Sequence, residues 1–276
     1  MPTQAEKAVQ FQALHQRPEP FVIANPWDAG TARILQSLGF SALSTTSAGL
    51  AFTLARRDGT ASVTRAEALA NAKSIVDATS LPVAADLENG YGHTPEAAAE
   101  TIRLAAETAG LEGGSIEDAT GAAGHPIYEF GHAVARIRAA AAAVRALPFP
   151  FMLVARAENY LHGRADLDDT IRRLQAFEAA GADVLFAPGI VQPEEIRQVC
   201  ASVSKPVNVL MGFKGAPPLS VKELGALGVR RVSIGSGFSR AAMTAFLHAA
   251  REVMDHGTFT FTEETLYMSE LVALFK

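Results

Sequence analysis

A closed (β/α)8 barrel of the TIM type is the fold predicted by this chain of 276 residues, and three observations predict it. Short continuous apolar runs recur about eight times, each followed by a helical pattern, as in a parallel sheet buried on both faces. Glycine stands just before several of these runs, at Gly39, Gly110, Gly181 and Gly228, where it can take the left-handed conformation that ends a helix. Eight such units in roughly 250 residues fill one barrel. A single domain is therefore expected over 1–276, with 258–276 as a C-terminal helical extension. An open doubly wound sheet is the alternative, and no G-x-G-x-x-G opens the first βα turn to support it.

Taken in order, residues 3–16 place Ala5, Ala8, Val9, Phe11 and Leu14 at helical spacing before Arg17-Pro18 ends the segment. This amphipathic helix suits the bottom of a barrel. The first three units are a strand at 21–24 with a helix at 31–38, a strand at 42–44 with a helix at 65–78, and a strand at 83–85 with a helix at 96–109. Apolar runs at 114–116, 151–154, 184–186, 207–209 and 232–234 continue the rhythm, and a helix at 240–254 completes it. Residues 263–275 add one more helix, whose stripe of Leu266, Tyr267, Leu271, Leu274 and Phe275 has no barrel position left to fill.

Composition excludes several classes. A hydrophobic content of 49% supports a full core, and 24 Lys and Arg against 29 acids, with no long run of either sign, excludes a nucleic-acid or membrane footprint. The lone cysteine, Cys200, lies in the helical pattern of 193–203, so there is no disulfide framework and no multi-cysteine metal cluster. The first twenty residues lack a secretory apolar core and no stretch approaches bilayer length. A soluble, cytoplasmic protein is expected.

The chemistry starts where Pro82-Val83-Ala84-Ala85 runs into Asp86-Leu87-Glu88-Asn89-Gly90-Tyr91-Gly92. Side chains two apart on a strand share a face, so Asp86 and Glu88 can present hard oxygen ligands to one cation. Magnesium suits a pair of carboxylates, with manganese as a substitute. Active sites of such barrels lie at the carboxyl ends of the strands. The residues following the other apolar runs are polar: Asn25 and Asp28, Thr45-Thr46-Ser47, Glu117 and Asp118, Arg156, Glu158 and Asn159, Asn208 and Ser236. Asp86, Glu88 and Glu117 form a negative wall for a divalent cation, Arg156 offers a planar fork to a substrate carboxylate, and the small-residue loop 45–49 offers backbone N–H groups.

The series Asn25-Pro26-Trp27-Asp28-Ala29, Ser47-Ala48-Gly49, Arg57-Asp58-Gly59, Asp86 to Gly92, Ile116-Glu117-Asp118, Ala155-Arg156 and Ala180-Gly181-Ala182-Asp183 resembles the isocitrate lyase/phosphoenolpyruvate mutase superfamily over residues 20–245. The methylisocitrate lyase, oxaloacetate decarboxylase and phosphonopyruvate hydrolase branches are the most similar. The resemblance implies a magnesium-dependent barrel acting on small 2-oxo acids through an enolpyruvate-type anion. It assigns Asp86 and Glu88 to the metal, with Glu117 reaching it through water. Thr45, Thr46, Ser47 and Arg156 fall at carboxylate-binding positions, Asp58 near the substrate, and Asn208 and Arg240 at further substrate-side positions. It also implies exchange of a C-terminal helix between subunits, giving a homotetramer of helix-swapped dimers.

One departure shapes the expected reaction. Lyases of the superfamily carry a Lys-x-Cys-Gly-His loop after the fourth strand, whereas this chain reads Gly121-Ala122-Ala123-Gly124-His125 there. Cleavage of a C–C bond by decarboxylation of an oxaloacetate-type acid needs no base to start, and His125 or Tyr91 is a candidate to protonate the resulting enolate. Phosphonopyruvate-type C–P cleavage and a weakly active 2-oxo-acid binder are the alternatives.

Overall fold

The computed structural model describes residues 1–275. Eight parallel strands form one sheet: β1 Phe21–Ile23, β2 Leu43–Ser44, β3 Val83–Asp86, β4 Gly113–Glu117, β5 Met152–Arg156, β6 Val184–Phe186, β7 Val207–Leu210 and β8 Arg231–Ser233. Each strand pairs with its neighbours in sequence, β8 pairs with β1, and a parallel bridge from Ala24 to Leu43 brings β1 against β2 and closes the barrel. The helices are α1 Gln4–His15, α2 Ala29–Ser37, α3 Ser47–Thr53, α4 Arg65–Ala78, α5 Pro95–Glu107, α6 Phe130–Arg145, α7 Leu167–Ala179, α8 Pro193–Ser202, α9 Val221–Ala226, α10 Gly237–His256 and α11 Met268–Ala273. The (β/α)8 expectation holds. Among the described residues no helix is long and apolar enough to cross a membrane.

Two apolar layers follow from the strand alternation. Outward residues such as Leu43, Val83, Leu87, Leu153 and Leu185 meet the inner faces of the helices, where Ile75, Ile102, Ile137, Leu174 and Phe177 are fully or almost fully buried. Inward residues Phe21, Ile23, Ala84, Met152, Val154, Val184 and Phe186 form a second cluster inside the barrel, and Phe11 and Leu14 of α1 plug it from below. The Thr3–Glu6 capping box starts α1, with Thr3 N donating to Glu6 Oε2 at 2.7 Å. Gly113 is required by this plug, because a Cβ there would sit 2.8 Å from the Phe11 ring and 3.0 Å from the Met152 carbonyl oxygen.

Two expectations change. Residues 45–49 are not a loop: Thr46 caps α3, its Oγ1 accepting from Gly49 N at 3.2 Å. The single helix expected at 263–275 is divided into a 3-10 turn, Thr260–Glu264, and α11, because Thr265 and Tyr267 are extended and Glu270 caps a fresh start at Tyr267. The exit after α10 is held rather than free, since Glu252 accepts from Thr258 Oγ1, Thr260 N and Phe261 N. The last described residue, Phe275, accepts from Arg33 of α2 at 3.3 Å through its carbonyl.

His15 is buried edge-on between Phe11 and Phe21, with Nδ1 against the Phe11 carbonyl at 2.8 Å. Burial, with Arg231 nearby, pushes its pKa down to about 3. A depressed histidine keeps the folded state neutral while the unfolded chain protonates near 6.5, so stability is full above about 6.5 and is lost as pH falls toward 3. We expect His15→Phe to flatten the acid limb of the stability curve by about 1.4 kcal/mol per pH unit in that window, measured by urea unfolding at pH 5 to 7. An unchanged slope would contradict the burial argument.

Candidate active site at the carboxyl ends of the strands

Asp86 ends β3, and the chain then turns sharply instead of continuing the strand. Glu88 and Tyr91 both have left-handed backbones, with φ of 46° and 55°, conformations costing about 1–2 kcal/mol each in non-glycine residues. Gly90 has φ 80° and packs so closely that a Cβ would lie 3.1 Å from Ala98 Cα. Buried Arg136 on α6 holds this turn by donating to the carbonyls of Asn89, Gly92 and Thr94, while its guanidinium lies 4.4 Å from the Tyr128 ring centroid. Glu88 therefore joins Asp86 through a strained turn, not through the strand alternation expected from sequence.

Arg156, at the end of β5, is the hub. Its Nη1 meets Asp86 Oδ1 at 2.8 Å, its Nη2 meets Glu117 Oε2 at 3.1 Å, and its Nε meets Glu158 Oε1 at 2.8 Å. Each of its three nitrogens already meets a carboxylate, which leaves two of the five N–H donors of the expected fork, and Arg156 also lines a cavity. Asp86 also accepts from Ser47 Oγ at 2.9 Å and from Glu88 N at 3.2 Å. Thr45 Oγ1 accepts from Asp86 N at 3.0 Å, so Thr45 and Ser47 orient this carboxylate while Thr46 caps α3.

Negative charge is in excess here. Burial, then Asp86 and Asp58, push Glu88 up to about 7. Burial, then Asp86, also raise Asp58, against an opposing hydrogen bond from Ser47. Burial raises Glu117 and Glu158 although Arg156 opposes the shift in both. Arg156 itself is disfavoured by burial, yet Glu158, Asp86 and Glu117 hold its pKa well above the usual guanidinium range. Five carboxyl groups thus share one cation. A divalent cation fits this charge imbalance and the all-oxygen donor set. Among the described residues no three His, Cys, Asp or Glu side chains are gathered into a ready metal shell, so water or substrate oxygens would complete the coordination.

Two cavities meet these groups. One, of about 260 Å³, runs into the barrel and is lined by Thr45, Thr46, Ser47, Asp58, Asp86, Arg156 and Asn208 among others. The other, of about 670 Å³, adjoins Glu88, Tyr91, Glu117, Gly121 and Ala122. Burial followed by Glu88 and Asp86 raises the Tyr91 phenol, which stays protonated.

A family profile described as phosphoenolpyruvate phosphomutase matches residues 11–254. The chain belongs to that family, within the isocitrate lyase/phosphoenolpyruvate mutase superfamily. An uncharacterised protein of Mycobacterium tuberculosis is 33% identical over 90% of both chains. A crystal structure of a candidate lyase/mutase from Burkholderia cenocepacia J2315 is 56% identical, covers 99% of this chain and 96% of its own, and superposes with a TM-score of 0.95. Oxaloacetate acetylhydrolase bound to 3,3-difluorooxalacetate is 25% identical over 100% of this chain and 94% of its own, with a TM-score of 0.87. An oxaloacetate decarboxylase of Chromohalobacter salexigens is 28% identical over 92% of this chain and 88% of its own.

Within the family frame, two expected residues fall away from the cavities. His125 is exposed in its loop, with Gly121 and Ala122 on the wall of the larger cavity in its place. Arg240 is exposed on α10 and reaches neither cavity. Cys200 lies on α8, half-buried, where burial pushes its thiol up to about 11. Sequence reasoning gave no role to Glu158, the third partner of Arg156, nor to His93 and His162, which line the larger cavity. His93 Nδ1 lies 2.6 Å from the Tyr128 hydroxyl, so its ring is tied to the same turn.

Asp86→Ala and Glu88→Ala are each expected to abolish turnover and weaken Mg²⁺ binding while the circular dichroism spectrum stays unchanged; calorimetric Mg²⁺ titration is the check. Arg156→Lys supplies one ammonium to a hub that needs three directed donors, and should cost about 2 kcal/mol or more in unfolding free energy. Wild-type stability in Arg156→Lys would show that the three ion pairs contribute nothing.

Proposed function

We propose that the protein cleaves a C–C bond in a small 2-oxo acid of the oxaloacetate type, by decarboxylation through an enolpyruvate-like anion, with Mg²⁺ held by Asp86 and Glu88 and by Glu117 through water. The carrying observation is the cluster of Asp58, Asp86, Glu88, Glu117 and Glu158 around the single cation Arg156, at the mouth of a polar cavity. The relatives that act on oxaloacetate support the substrate class. Magnesium held there would polarise the 2-oxo group, so that the electron pair of the breaking C–C bond is taken up as an enolate while carbon dioxide leaves.

The chain's own residues supply the rest. Arg156 aligns Asp86, Glu117 and Glu158 from the ends of three successive segments, and Ser47 fixes the second oxygen of Asp86. Tyr91, kept protonated, stands beside Glu88 and Glu117 on the wall of the larger cavity and can donate a hydrogen bond to an anion held at the acid cluster. The 121–125 loop carries no cysteine, which fits a cleavage that starts without a base.

Assembly belongs to the same reading. Only Ser239 is buried on the 20-residue α10, while Phe246 is 75% and Met254 83% exposed, and Tyr267 and Met268 extend this apolar surface. We infer a homotetramer of dimers that exchange the C-terminal segment, covering these residues.

Pyruvate release from a panel of 2-oxo diacids is expected with Mg²⁺ and should disappear with EDTA. Phosphate release from phosphonopyruvate without carbon dioxide release from oxaloacetate would overturn the reading in favour of C–P cleavage, and turnover surviving EDTA would remove the metal from it. Light scattering should give a tetramer, and a chain ending at Gly257 a smaller species. A monomer at micromolar concentration would refute the exchange.

A further inference from the structure

Below the acids the barrel interior holds a second cation, and nothing pairs it. Arg231 opens β8 and stands beside Phe21 of β1 and Asn208 of β7 in the sheet. Phe21 belongs to the inward apolar cluster, so an arginine has been placed in a layer otherwise built from Phe, Ile, Met and Val. It is only 5% exposed, and its Nε and Nη1 are buried without a hydrogen-bond partner among the described residues. No carboxylate forms an ion pair with it among those residues, in contrast to the three that surround Arg156. Burial alone brings its pKa down to about 9. An unpaired buried charge is costly, and such a group calls for an explanation in function.

The surroundings supply one. Arg231 lines the 260 Å³ cavity together with Ser44, Ser115, Asn208 and Ser233, and the same cavity opens above at Asp86 and Arg156. Asn208 donates through Nδ2 to Ser233 Oγ at 2.9 Å, while its Oδ1 is buried without a partner. One space therefore has acids suited to a metal at its mouth and, deeper in, a wall that includes an unpaired cation whose Nη2 is not among its enclosed nitrogens. Its volume suits a small organic acid rather than a drug-sized ligand, which occupies roughly 300–1,000 Å³.

We propose that Arg231 is a specificity-determining residue that binds a second carboxylate of the substrate, so that the cavity selects 2-oxo diacids over 2-oxo monoacids. The inference rests on the reading of the acid cluster as the place where the 2-oxo end of the substrate is held. A carboxylate beside Arg231 would complete the missing ion pair and accept from Nη2, the guanidinium nitrogen that is not among the two enclosed ones. Arg231 then trades folding stability in the empty protein for recognition in the complex.

The test uses calorimetric binding of pyruvate, a 2-oxo monoacid, and of 3,3-difluorooxalacetate, a 2-oxo diacid, to the full-length protein with Mg²⁺, alongside thermal melting without added acid. Wild type should prefer a diacid over pyruvate at least tenfold. Arg231→Met should weaken the diacid tenfold or more and leave pyruvate within about twofold, because a charge-assisted hydrogen bond is lost only for the far group. The same variant should melt at the wild-type temperature or a few degrees higher, since a buried charge has been removed. Arg231→Lys, which keeps the charge, should restore part of the preference. Unchanged diacid binding in Arg231→Met, an equal loss of pyruvate and diacid, or a lowered melting temperature with the preference retained would overturn the proposal. Asp86→Asn separates the two readings. Loss of pyruvate binding in Asp86→Asn with Arg231→Met unaffected would leave the acid cluster standing and remove Arg231. Diacid binding that depends on Arg231 but is indifferent to Asp86→Asn would do the reverse. Failure of wild type to bind any of the acids would overturn both.

Discussion

The ion pairs of Arg156 are the constraint on which the rest of this site depends. A guanidinium has three directed nitrogens, and here each takes a carboxylate from a different segment: Asp86 from the end of β3, Glu117 from the end of β4 and Glu158 from beyond β5. The parallel register makes this feasible, because Glu117 and Arg156 are direct neighbours across β4 and β5. Buried carboxylates of one sign repel one another and tend to protonate: burial raises Glu117 and Glu158 even though Arg156 opposes it, and pushes Glu88, which makes no ion pair with the arginine among the described residues, up to about 7. The arginine gathers the acids but leaves the charge unbalanced. That imbalance is what makes the site receptive to a divalent cation.

The fold supports this with a division of labour between the two ends of the barrel. At the bottom, Phe11, Leu14 and His15 of α1 seal the interior with apolar and neutral groups. At the top, strain and charge accumulate in the turn that carries Glu88 and Tyr91, and Arg136 braces it from the helix layer through backbone carbonyls. Between them the interior is half apolar and half polar, with Arg231 and Asn208 carrying buried atoms that lack partners. The strained turn and the buried polar atoms without partners cost folding free energy, and the turn lies at the carboxyl ends of the strands, where barrels bind their ligands. The outer helix layer, apolar and tightly interlocked, offsets that cost.

The C-terminal region follows a different logic. The α10 helix continues far past the point where the barrel can cover it, and its apolar side chains together with those of Tyr267 and Met268 remain exposed in the single chain. Glu252 pins the turn that follows, so the direction of the extension is set locally even though its apolar face is not covered by its own barrel.

Much of the fold was legible from residue order alone, because strand runs and helix-ending glycines act through local backbone physics. The strand-end acids Asp86 and Glu117 and the arginine at 156 were legible for the same reason: a barrel puts whatever follows a strand into the site. What sequence could not decide was how those groups partner. Arg156 looked like an open fork for substrate, and only the three-dimensional arrangement showed that each of its nitrogens also meets a carboxylate. Residues 45–49 read as a loop because small residues suit loops, yet the Thr46 cap starts α3 there and Ser47 on its first turn bonds Asp86. The helix of 263–275 was an inference from periodicity, and a local cap at Tyr267 divided it. Arg231 was hidden for the opposite reason. Its sequence signal is one of two adjacent arginines before an apolar run, which reads as a solvated strand entrance, and only the inward face of β8 turned it into a buried cation without a partner. Local pattern determined which elements form and where the site lies; long-range packing decided which charges meet, which are satisfied and which are left for a ligand.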